Sequence, residues 1–66
     1  MYSKEALSDI FHKVLQFEED VKALYDDCID KLEDEEIINI LSSISKEEKG
    51  HIELVKQLIE LIKDEE

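Results

Sequence analysis

A chain of 66 residues with 19 acidic and eight basic side chains carries a formal charge of −11. That balance leaves no basic patch for a nucleic-acid backbone, and it repels an anionic membrane surface. The single cysteine, Cys28, excludes a disulfide within the chain and fits a reducing, cytoplasmic setting.

The residues up to Ile10 are polar and acid-containing, unlike a signal peptide. No run approaches the ~18 consecutive apolar residues that cross a bilayer. With no proline, one glycine, 42% apolar and 41% charged residues, the chain has the profile of long amphipathic helices. The first predicted helix spans residues 4–32. Ser3 is placed to cap it, and Glu5 falls in the first turn, where the helix dipole favours negative charge. Its seam runs Leu7, Phe11, Val14, Glu18, Val21, Tyr25, Cys28, Leu32, in alternating steps of four and three that keep one stripe. Ile10, Leu15, Phe17, Leu24 and Ile29 widen the stripe beyond what one neighbouring helix covers. Cys28 reads as a small buried hydrophobe and His12, off the seam, as exposed.

The acidic run Glu33 to Glu36 breaks the pattern. Residues 33–34 form the predicted turn, and Asp34 is placed to cap a second helix over 35–63. The second seam reads Ile37, Leu41, Ile44, Glu48, His51, Val55, Leu58, Ile62, with Ile38, Ile40, Ile52, Ile59 and Leu61 beside it. A connection this short forces the helices antiparallel. The expected fold is all-α: one helical-hairpin domain over residues 1–66. A chain of this size buries too little apolar surface to be comfortable alone, which points to a metal or a partner.

Glu18 interrupts the first seam, and Glu48 and His51 interrupt the second. Burying a carboxylate without a partner costs several kcal/mol, roughly, so matched intrusions need a cause. Counting places them level. Glu18 lies about 21 Å from the end of its helix, and Glu48 about 20 Å from the start of the next. His51 follows Glu48 by three residues, on the same face. Both polar positions also fall near the middle of their helices. A two-fold axis at mid-height therefore superposes the polar layers of two copies, giving a four-helix bundle with four glutamates and two histidines at its centre. Helix bundles that hold two metals use that ligand set. Oxygen and imidazole donors in this number suit iron or manganese and also accept zinc.

Glu18 with Tyr25 seven residues on, followed by Glu48-Lys49-Gly50-His51, resembles the ferritin and rubrerythrin superfamily. The thirty-residue gap between the glutamates is similar to its single-hairpin members, the encapsulated ferritins. The resemblance covers roughly residues 7 to 62 and implies a ferritin-like four-helix bundle made by a homodimer or a larger even-numbered homo-oligomer. It further implies two irons per dimer held by Glu18, Glu48 and His51 and oxidised by oxygen or peroxide, with an electron donor of unspecified chemistry. Tyr25 matches a tyrosine beside that site, where it supports a ligand or relays an electron; core packing is its other reading. The alternative for the whole chain is a metal-binding or structural helical module without turnover. Gly50 either admits a close neighbour beside His51 or is an exposed accident.

Overall fold

The computed structural model describes residues 1–64, and within them the chain forms two α-helices, α1 (Lys4–Lys31) and α2 (Glu35–Asp64). They pack against each other as an antiparallel hairpin, with no strand among the described residues. The rod is 49 Å long and only 17 × 14 Å across.

The ends of the helices follow from their capping side chains. The Ala6 N–H donates to Ser3 Oγ at 3.1 Å, and Leu7 N–H to the Ser3 carbonyl at 2.9 Å, so Ser3 opens α1. Leu32 takes an extended ψ of 153° and ends α1 one residue earlier than the hydrophobic pattern suggests. Asp34 opens α2: its Oδ1 accepts from Glu36 N–H at 3.0 Å and Ile37 N–H at 3.2 Å. Glu35 and Glu36 occupy the first turn and Lys63 the last, each sign at the helix end that favours it.

The line along which α2 meets α1 keeps Leu41, Glu48, Val55 and Ile62 of the seam expected above, but its alternate positions move by one residue, to Ile38, Ser45, Ile52 and Ile59. Ile52 and Ile59 are each only 7% exposed, and Ser45 is buried with them, seven residues away. Ile38, Leu41, Glu48, Val55 and Ile62 complete that stripe at helical spacing. Ile37 and Leu58, placed in the seam by sequence, are exposed instead, as is His51. On α1, no residue is fully buried. Cys28, expected inside, is exposed, because its position lies to the side of the line facing α2.

What remains is an uncovered apolar face. Ile37, Ile40, Leu54, Leu58 and Leu61 of α2 and Val14, Phe17 and Leu24 of α1 are all exposed, Phe17 at 65% and Leu24 at 68%. In both helices these positions are displaced from the facing line in the same rotational sense. In an antiparallel pair, that places them on one side of the hairpin. The opposite side is mostly polar: Lys22, Asp26, Ser42, Ser45, Lys46 and Lys49, with Ile29, line a shallow groove there. No helix among the described residues is long and apolar enough to cross a membrane.

Candidate metal centre

Glu18, Glu48 and His51 meet near the middle of the hairpin. One ligand-type atom from each lies within 4.8 Å of the other two. His51 Nδ1 is 3.7 Å from Glu18 Oε2 and 3.9 Å from Glu48 Oε2. The side chains of Glu18 and Glu48 keep only 20% and 17% of their surface in solvent, whereas that of His51 keeps 57%. The two carboxylates thus lie between the helices, and the imidazole lies at the edge of the uncovered apolar face. The i,i+3 spacing of Glu48 and His51 sets this division, one residue pointing inward and the other toward the flank.

Within the trio, Glu48 can hydrogen-bond only to Glu18, and only when one of the two carboxyls is protonated. Glu48 Oε2 is buried without a hydrogen-bond partner among the described residues. The separations from His51 exceed hydrogen-bonding distance. Donors about 2.1 Å from one ion sit about 3 to 3.5 Å from each other. The observed gaps therefore need only a small closure to share a cation. Two carboxyls this close disfavour a second negative charge. Pairing with Glu18 pushes Glu48 above the ordinary glutamate range, burial and the Glu18 charge add to this, and His51 works against it. A cation in the cluster would answer both the unpaired oxygen and the repulsion.

Tyr25 is half-buried on the α1 stripe that carries Glu18, about 10 Å of helical rise away, and is not in the trio. Gly50 is exposed, and a Cβ there would meet nothing within 4 Å, so the hairpin itself makes no use of its missing side chain. His12 is exposed, and its Nδ1 lies 2.7 Å from the Ser8 carbonyl, one turn back.

One polar cluster escaped the sequence reading. Ser45 Oγ donates to Asp26 Oδ1 across the helices at 2.6 Å, and Lys22 Nζ donates to Asp26 Oδ2, also at 2.6 Å. The Lys22 ammonium and the Ser45 hydroxyl hold the Asp26 carboxyl below the usual aspartate range. Ser45 is a small polar residue at a heptad position otherwise filled by Ile38, Ile52 and Ile59, and that substitution in the pattern was the available signal. Compared with protein-family models, with curated proteins and with solved structures, the chain matches none.

Proposed function

We propose that this protein is a ferritin-like carboxylate metalloprotein in which two copies of the hairpin form a four-helix bundle around a two-metal centre. The observation that carries the reading is the buried, unpartnered Glu48 Oε2 held beside Glu18 and His51. Glu18 and Glu48 supply the anionic donors between the helices, and His51 supplies a neutral nitrogen at the edge of the apolar face. The ligand trio of one chain leaves coordination positions for a second copy, and the apolar side chains above and below His51 give that copy a surface to cover. Four carboxylates from two chains balance two divalent cations. Iron is the metal that best suits the donor set and the family resemblance, with manganese or zinc also accommodated. When bound, iron would supply oxidation of Fe(II) by oxygen or peroxide, the chemistry of a ferroxidase or of a rubrerythrin-like oxidoreductase.

A second reading has its own support. Ser45 and Asp26 form a polar contact between the helices with each other as partners. Glu18, Glu48 and His51 then form a further polar layer in a structural helical assembly. Metal analysis of protein purified from iron-replete cells, together with Glu48→Ala, separates the two. On the metal reading, the unaltered protein retains stoichiometric metal, Glu48→Ala retains none, and the metal-free variant folds at least as stably. Metal affinity kept in Glu48→Ala, with folding lost, establishes the structural layer instead.

A further inference from the structure

Lys22 lies four residues after Glu18, and Ser45 lies three residues before Glu48. In an antiparallel hairpin these steps run the same way along the rod, so the Lys22–Asp26–Ser45 cluster is the next layer toward the turn. A glutamate followed four residues later by a lysine is the favourable helical order for an ion pair. Lys22 could therefore be expected to fold back onto Glu18. It does not. Its ammonium is 2.6 Å from Asp26 Oδ2, in the less favourable order with lysine first. The other oxygen of Asp26 is fixed by Ser45 Oγ from α2. The buried serine anchors the aspartate, and the anchored aspartate holds the lysine toward the polar side of the hairpin.

We propose that Asp26 and Ser45 are positioning residues for the metal centre: they hold the Lys22 ammonium away from Glu18 and so leave that carboxylate free to take a cation. A lysine paired with Glu18 would occupy a donor oxygen and cancel charge that attracts the metal. The lowered pKa of Asp26 fits this role, since the carboxylate stays ionised, and the lysine stays held, across the range in which a metal binds. Glu19 is the other carboxylate that Lys22 could reach, three residues back, but it is exposed. Glu18 is mostly withdrawn from solvent, where an ion pair is screened less. The inference rests on the metal reading of Glu18, Glu48 and His51, and its test keeps the two apart.

Co(II) binding to the metal-free full-length chain, followed by optical titration, is compared among the unaltered protein, Asp26→Ala, and Asp26→Ala combined with Lys22→Met. The expected result is affinity weakened about twofold to fivefold in Asp26→Ala, a factor typical of a partly screened ion pair. The double variant should regain the original affinity. In parallel, proton NMR of metal-free Asp26→Ala should show Lys22 Hε contacts to Glu18 Hγ that the unaltered protein lacks. No Co(II) binding by the unaltered protein overturns the metal reading, and this inference with it. Normal binding by the unaltered protein with weakened binding in both variants makes Asp26 merely structural and overturns the inference alone. So does Lys22 turning to Glu19 with affinity unchanged.

Discussion

His51 Nδ1 lies 3.7 Å from Glu18 Oε2, although the two residues belong to different helices. The gap is too wide for a hydrogen bond and suits a shared cation. A divalent metal should therefore tie α1 to α2. At a hundredfold excess over its dissociation constant it should stabilise the fold by about 2.7 kcal/mol, and binding should strengthen as pH rises through the raised Glu48 range. Calorimetric melting with and without Fe(II) under argon reads this directly. Equal melting temperatures would count against a metal at this position.

Glu48 and Asp26 should make opposite contributions to the pH profile of the metal-free protein. Glu48 is raised above its ordinary 4.5, so the folded chain holds that proton more tightly than the unfolded one. The associated stability is complete below pH 4.5 and is lost as pH rises through the folded value. Asp26 is lowered from 3.8, so its contribution is present above 3.8 and is lost as pH falls through its folded value. Denaturant midpoints should lose the Glu48 contribution as pH rises through its folded value and the Asp26 contribution as pH falls through its own. Glu48→Gln should flatten the decline above pH 4.5 and leave the acid limb in place.

The uncovered apolar face should be dry in solution. Sedimentation should give an even-numbered assembly, and a stable, folded species of 7.8 kDa at micromolar concentration would exclude it. Phe17 is 65% exposed in the single hairpin, so Phe17→Asp removes little buried surface from the hairpin itself. In a covered interface the same change buries an unpaired carboxylate, at a cost of several kcal/mol, roughly, and should shift the protein to monomer.

Two local substitutions probe the helices by themselves. Asp34→Ala removes the acceptor of two amide protons at the start of α2 and should destabilise by about 1 kcal/mol. Gly50→Ala adds a methyl group with nothing within 4 Å and should stabilise by about 1 kcal/mol. Thermal melts at fixed concentration measure both. Destabilisation by Gly50→Ala would mean that another copy packs closely there.

The caps, the turn and the antiparallel pairing were all legible, because Ser3, Asp34 and the acidic break at 33–36 are local signals. The level placement of Glu18 and Glu48 followed from counting residues at a fixed helical rise. The one-residue shift of alternate positions on α2 was not legible. Ile37 and Leu58 are as apolar as Ile38, Ile52 and Ile59, so hydrophobicity marks the width of the stripe but not which half meets α1. Cys28 was misplaced for the same reason. Ser45 was missed because a serine on a helix is usually solvated, and only a partner on the other helix gives it a reason to be inside.

On the dimer reading, the uncovered apolar face should also tie the lifetime of the chain to its abundance. A lone hairpin, with an α1 that buries no residue fully, opens readily and offers proteases and chaperones an apolar target. When copies cover one another, that target disappears as concentration passes the dissociation constant. Steady-state levels should then respond more than proportionally to synthesis, with sparse chains cleared and abundant ones protected. Pulse-chase half-lives measured at several expression levels would trace that threshold.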